Sequence, residues 1–243
     1  MSVNERGKAI LEYLGNTHFA SIAELAAAIF TSEATVRREI TKLEAIGAVK
    51  SVYGGVVIAE YEKSPVPLFL RDRENSASKE RLAKAAAALV PDYATVILDS
   101  SSTVRRMCKY LTDKRGLTVI TNNLRVINEL KNTDARIISV GGNFVKERDC
   151  FVGHFAEEFI KSFKADILFF SSQGISEDGV ITDSSEPEVA IRRAMLAISK
   201  RSVFIADASK IGKEYPFVLT DRSAVTDSII EGLEEKIKAA HQA

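Results

Sequence analysis

The chain has 243 residues, 46% of them hydrophobic, and its 33 basic side chains are balanced by 33 acidic ones. That length and apolar content suit two cores rather than one, and the neutral balance excludes a globally basic nucleic-acid binder, so any such affinity must be local. Met1-Ser2-Val3-Asn4-Glu5 carries no signal-peptide pattern and no apolar run is long enough to cross a bilayer, which predicts a soluble cytoplasmic protein without membrane contact.

The segment Ser21 to Gly55 carries the first strong pattern. Ser21-Ile22-Ala23-Glu24 is a capping box, and Ile22, Leu25, Ala26 and Ile29 recur at helical spacing behind it. After a break at Phe30-Thr31-Ser32, either Thr31 or Ser32 is placed to cap a second helix whose apolar stripe is Val36, Ile40 and Leu43. Arg38 points away from that stripe, with Arg37 and Lys42 beside it and Ser32 and Thr35 at the helix start. Long donors on an exposed face suit phosphates and guanine edges, as on a recognition helix in the major groove. The runs Ala48–Val52 and Val56–Ala59, joined by a glycine turn at Gly54-Gly55, read as a wing that brings Lys50 and Tyr53 to the duplex. Spacing alone also fits a small domain with a solvated arginine pair. Six cations face six carboxylates between Met1 and Ala59, so a monomer should bind DNA weakly and a homodimer or homotetramer is expected to gather enough phosphate contacts.

The residues Ile22-Ala23-Glu24-Leu25-Ala26, Ser32, Thr35-Val36-Arg37-Arg38-Glu39-Ile40, Leu43-Glu44, Gly47 and Gly54-Gly55 resemble the N-terminal signature of the DeoR-type transcriptional repressors. Ser51 and Tyr53 depart from it, standing where that family's wing usually has Arg and His. Beyond the wing, residues 60–75 contain Pro65 and Pro67 and mixed charges, which favour an extended connector between a DNA-binding domain at 1–59 and a second domain at 76–243.

From Thr95 the pattern becomes short β-branched runs separated by helices: Thr95–Leu98, Thr118–Ile120, Arg136–Val140, Ile167–Phe170 and Val203–Ala206. Continuous apolar strands of this kind predict a Rossmann-like α/β domain with a parallel sheet buried on both faces, ligands sitting at the strands' carboxyl ends. Those ends are Asp99-Ser100-Ser101-Ser102-Thr103, Thr121-Asn122-Asn123, Gly141-Gly142, Ser171-Ser172-Gln173-Gly174 and Asp207-Ala208-Ser209-Lys210. The serine-rich loop at a helix start suits an anion, Lys210 supplies countercharge, and the amides of Asn122, Asn123 and Gln173 suit a polyol. A phosphorylated sugar fits best; a nucleotide fits less well, because no Gly-x-Gly-x-x-Gly or Walker A spacing follows a strand. Cys108 and Cys150 lie far apart and His18, His154 and His241 are scattered, so no disulfide, metal or cofactor is expected.

This half resembles the sensor domain of the same repressors, itself similar in fold to ribose-5-phosphate isomerase. The resemblance implies that Asp99, Ser100, Ser102, Thr103, Thr121, Asn122, Gly141, Gly142, Gly174 and Lys210 line an effector pocket; Ser101 stands where the family usually has Gly. Arg192, where the family commonly has Lys, reads either as a phosphate contact or as a surface arginine. Phe155, Phe159 and Phe163 form a helical stripe assigned to the core. The expected function is a repressor of a carbohydrate operon whose grip on a double-stranded operator responds to the sugar phosphate. Two alternatives stand beside it. One is an isomerase-like enzyme using Asp99 or Asp207 as base, and the other a DNA-binding protein whose pocket no longer takes ligand.

Overall fold

A computed structural model of the chain describes residues 4–17, 19–58 and 75–231. The chain divides into two compact units, Met1–Glu74 and Asn75–Ala243. Of the expected connector only Asn75 falls among the described residues, and the polar segment from Leu233 onward lies outside them.

The first unit runs α1 (Glu5–Thr17), β1 (Phe19–Ala20), α2 (Ile22–Ala28), α3 (Glu33–Ala45), β2 (Val49–Val52) and β3 (Gly55–Ile58). The Ser21 capping box closes in both directions: the hydroxyl accepts from the Glu24 amide at 3.1 Å, and the Glu24 carboxylate accepts from the Ser21 amide at 2.7 Å. Two donors that a helix start otherwise leaves unsatisfied are thereby paired. At the other end of α2 the Thr31 amide donates to the Ala26 carbonyl, with Phe30 at φ +51°, the left-handed position usually left to glycine. Ser32 rather than Thr31 caps α3, its hydroxyl accepting from the Thr35 amide. Val36, Ile40 and Leu43 are buried against Leu25, Val49 and Val56, as their spacing predicts, and Ile10 and Leu14 of α1 complete the core.

The wing differs in two respects from its sequence reading: a third strand joins it, and the turn falls one residue earlier than Gly54-Gly55. β1 pairs antiparallel with β3, giving a three-stranded sheet of order β1-β3-β2. The hairpin turn is Tyr53-Gly54, with Val52 opposite Gly55. Gly54 has φ +87°, whereas Gly55 is needed for space, since a Cβ there would collide with the Ala20 carbonyl oxygen of β1.

The second unit opens with α4 (Ser76–Ala87), followed by β4 (Thr95–Leu98), α5 (Ser102–Arg105), β5 (Thr118–Thr121), α6 (Leu124–Leu130) and β6 (Arg136–Ser139). A hairpin of β7 (Asn143–Val145) and β8 (Cys150–Val152) leads into α7 (His154–Ile160) and β9 (Ala165–Phe170). After β10 (Gly174–Ile175) and β11 (Val180–Asp183) come α8 (Glu186–Ile198), β12 (Ser199–Ala206), β13 (Phe217–Asp221) and β14 (Asp227–Ile230). Six of these strands form one parallel sheet of order β14-β12-β9-β4-β5-β6. Taken from the β6 edge, the strands follow the doubly wound order, with the reversal between β4 and β9. Alternate residues feed the two faces: Ile97, Ile120, Leu168, Phe170 and Phe204 pack under α7 and α8, while Val96, Leu98, Val119, Phe169 and Ile205 pack under α4.

The aromatic stripe on α7 contradicts its sequence reading. Ala156 and Ile160 supply that helix's core contacts, while Phe155 is 81% exposed and Phe159 is 42% exposed. Only Phe163 packs partly against the core. Three aromatics at intervals of four define a face but not which way it turns, and two small or aliphatic residues on the other face satisfy the core as well.

Candidate functional site

On the first unit, the α3 face opposite Val36, Ile40 and Leu43 is open to solvent. Arg37 and Arg38 are exposed, Thr35 is half-buried, and the Ser32 and Thr35 hydroxyls lie 2.9 Å apart at the helix start. Arg37 stands 3.7 Å from Glu33, and Lys42 donates to Glu39 at 2.8 Å. Glu39 itself is buried and also accepts from Asn4, whose own carbonyl accepts from the Gly7 amide in the first turn of α1. The Lys42 hydrogen bond holds the Glu39 carboxyl below its usual range, outweighing the effect of burial. Lys50 is exposed on β2 and Tyr53 is exposed at the wing tip. The seven residues expected at DNA therefore sit on α3, its cap and the wing, and Lys42 also ties α3 to α1 through Glu39.

On the second unit, the crevice between the ends of β4 and β9 holds a buried charge cluster. Asp99 accepts through one oxygen from the Ser101 amide at 2.9 Å, and through the other from Arg192 Nε at 2.9 Å and the Ser171 amide at 3.2 Å. Arg192 further reaches Asp183 at 3.0 Å and Glu188 at 3.3 Å. Glu188 takes the Ser100 hydroxyl at 3.0 Å and pairs with Arg148 from the hairpin turn. All five charged groups are essentially inaccessible to water. Arg192 is thus neither a surface arginine nor a cation held ready for a phosphate, and both sequence readings of it are corrected: its guanidinium is spent on three carboxylates. Burial would lower its pKa, but those carboxylates more than reverse the effect and raise it.

The serine loop is equally committed. Ser100, Ser101, Ser102 and Thr103 are all buried. Ser101 caps α5 by accepting from the Val104 amide, at φ −75°, so no glycine is required there. Thr121 donates to the Leu98 carbonyl at 2.7 Å and accepts from the Asn123 amide, which makes it a brace between strand ends. Asn122 donates to the Phe151 carbonyl at 2.9 Å and accepts the Phe151 amide on its backbone, fastening the hairpin to the end of β5. Gly141 and Gly142 are exposed after β6, and Gly174 opens β10 with the Lys213 carbonyl against it.

What remains open at these strand ends is a set of buried polar atoms without a protein partner: Asn122 Oδ1, Asn123 Nδ2, Gln173 Nε2 and Asp207 Oδ2. They belong to the ends of β5, β9 and β12. Asp207 takes Asn75 Nδ2 at 2.9 Å and the Ser209 amide at 3.0 Å on its other oxygen. Burial alone would raise its pKa, but the Ser209 hydrogen bonds and the charges of Lys210 and Lys79 hold it below the ordinary range. Sequence reading did not place Arg148, Asp183 or Glu188 here. The four-residue spacing of Glu188 and Arg192 was a usable signal, whereas nothing local marked Arg148. Cys150, beside this cluster, is inert as a nucleophile: burial pushes its thiol up to about 12.

An exposed cationic helix face backed by a wing, and a separate parallel-sheet unit with polar strand ends, define a DNA-binding regulator with a sensor domain. Residues 6–62 match the DeoR-like helix-turn-helix domain and residues 74–231 the DeoR C terminal sensor domain. The chain belongs to the DeoR family of transcriptional regulators. It is 32% identical to the transcriptional repressor AccR of Agrobacterium fabrum, over 98% of this chain and 96% of that one. It is 30% identical to the L-fucose operon activator of Haemophilus influenzae, over 92% and 90% respectively. Among solved structures, ribose 5-phosphate isomerase A from Methanocaldococcus jannaschii matches with a TM-score of 0.43 and 14% identity, covering 57% of this chain and 55% of that one. Among the described residues no helix is long and apolar enough to cross a membrane.

Proposed function

We propose that this regulator represses a carbohydrate operon from the cytoplasm and that a phosphorylated sugar, bound at the carboxyl ends of the parallel strands, changes its affinity for operator DNA. Residues 1–59 serve as the DNA-binding domain, 60–75 as the connector and 76–243 as the sensor, in a homodimer or larger homo-oligomer. The observation that carries the effector site is the set of unpaired buried atoms on Asn122, Asn123, Gln173 and Asp207, because a buried polar atom without a partner is costly unless a ligand or water completes it. Asn and Gln amides read sugar hydroxyls. The phosphate lies toward Lys210 and Lys79, since Arg192 is already neutralised by three carboxylates. Catalysis is not proposed: both Asp99 oxygens are occupied by Ser101, Ser171 and Arg192, and the one unpaired Asp207 oxygen belongs to a carboxylate held below the ordinary range, which makes it a weak base for an enediol reaction.

On the DNA side, Ser32, Thr35, Arg37, Arg38 and Lys42 meet the major groove while Lys50 and Tyr53 reach the backbone from the wing. The test is operator affinity, measured on DNA upstream of the chain's own and neighbouring genes, with and without a panel of sugar phosphates. A several-fold change with one compound supports the reading. Binding that none of them alters removes the effector, and no sequence-specific binding removes the regulator.

A further inference from the structure

The chain enters the second unit at Asn75, where the division between the two units falls, and that residue does not do what its place at a helix start calls for. An asparagine in the N-cap position normally keeps an extended backbone, and its side chain accepts from an amide of the first turn. Asn123 does so for α6, at φ −104°, taking the Arg125 amide at 2.9 Å. Asn75 precedes α4 in the left-handed region, at φ +51° and ψ 34°, and makes no side-chain cap. Its side-chain amide instead donates to Asp207 Oδ1 at 2.9 Å, 132 positions along the chain. Left-handed backbone is costly for a residue with a Cβ and persists where the surroundings hold it. Here the Asp207 bond is the hold.

That partner is not a neutral anchor. Asp207 is the carboxylate whose other oxygen is buried and open, beside the charges of Lys79 and Lys210. The loop after it is tied to the same helix a second time, because Glu231 accepts from Ser78 and Arg81 of α4 and from the Ala208 amide. The first turn of α4 and loop 207–210 are therefore fastened together by two carboxylates. A carboxylate is a rigid plane, so turning Oδ2 toward a ligand hydroxyl, or drawing the two ammonium groups toward a phosphate, displaces Oδ1 from Asn75. Once released, Asn75 has a second arrangement available, the extended one, in which its side chain caps α4 as Asn123 caps α6. The step from positive to negative φ redirects the chain that precedes it. Two discrete arrangements of one element, biased by occupancy elsewhere, are what coupling between sites requires.

We propose that Asn75 is the positioning residue that passes occupancy of the strand-end site to the chain linking the two units, by exchanging its Asp207 bond for a helix cap. The proposal rests on the effector part of the proposed function and adds to it the residue that transmits the signal. Operator affinity of the full chain is measured with and without ribose 5-phosphate, glucose 6-phosphate, fructose 6-phosphate and sorbitol 6-phosphate, and the affinity for the compound that acts is measured with and without operator. In wild type the two changes should be the same factor, at least about 5-fold. Asn75→Gly accepts either backbone conformation and removes the amide, so both ligands should still bind while that factor falls below about 2-fold. Asn75→Asp tolerates the same backbone and can cap α4 but cannot donate to Asp207, so it should behave alike. A wild-type response that both variants retain in full overturns the inference and leaves the effector in place. Loss of sugar-phosphate binding itself in both variants would put Asn75 in the binding site and overturn the inference equally. No response in wild type removes the effector reading and this inference with it.

Discussion

Arg192 shows how far one buried group can be from its sequence reading. A guanidinium on a polar-looking helix turn near a predicted pocket suggests a ligand contact, yet three carboxylates converge on it from β4, β11 and its own helix. The partners come from residues 93, 9 and 4 positions away, and only the nearest was visible as a spacing. Arg192→Leu would leave Asp99, Asp183 and Glu188 facing one another without water, and is expected to destabilise the second unit by about 3–5 kcal/mol in urea unfolding. Arg192→Lys keeps the charge but loses the planar fork, so it should recover only part of that loss. A loss below 1 kcal/mol for Arg192→Leu, roughly the level of an exposed pair, would mean the cluster is hydrated. Separation of the two proposed sites is tested at the same scale. Arg38→Ala should weaken operator binding by about 10- to 100-fold and leave sugar-phosphate affinity alone, while Lys210→Ala should do the reverse. Equal losses of both activities from either change would argue against distinct sites.

At the scale of elements, periodicity succeeded where one face of a segment is buried and failed where it is too short or where both faces are plausible. α2, α3 and the five apolar strands were legible because caps and repeats agree over many residues. β1, at two residues, carries no alternation to read, and α1 was passed over. The stripe on α7 was legible as a stripe, but its direction depended on Ala156 and Ile160. The strand-end loops were correctly located as polar, whereas the division of their hydroxyls between bracing and open contact required the geometry of Thr121 and Ser101. The link between α1 and α3 through Asn4, Glu39 and Lys42 gives a pH dependence. Glu39 titrates below its usual value of 4.5 in the folded state, so its stabilisation is fully present above that value and is lost as pH falls through the folded one. Urea titrations of the full chain, followed through the amide signals of α3, should show stability falling as the pH drops below about 4.5, with a shallower fall in Glu39→Gln. Parallel falls in the two proteins would assign the acid sensitivity to other carboxylates.

For the whole molecule, the hairpin of β7 and β8 has a consequence for regulation. It is fastened to Asn122 and Asn123 and carries Arg148 to Glu188, and its Phe144 and Phe151 rings lie tilted against each other. A metabolite seated at the amides would therefore press on the ribbon that carries Arg148 to the buried cluster. Free-energy linkage is reciprocal: if occupancy shifts the monomer–dimer balance, that balance must shift occupancy by the same factor. Calorimetric titrations of the effector at protein concentrations well below and well above the dimer dissociation constant should then return different affinities, and identical ones would show the two equilibria to be uncoupled. Sensitivity to the sugar would thus depend on how abundant the regulator is, which makes its own expression level a second input to the switch.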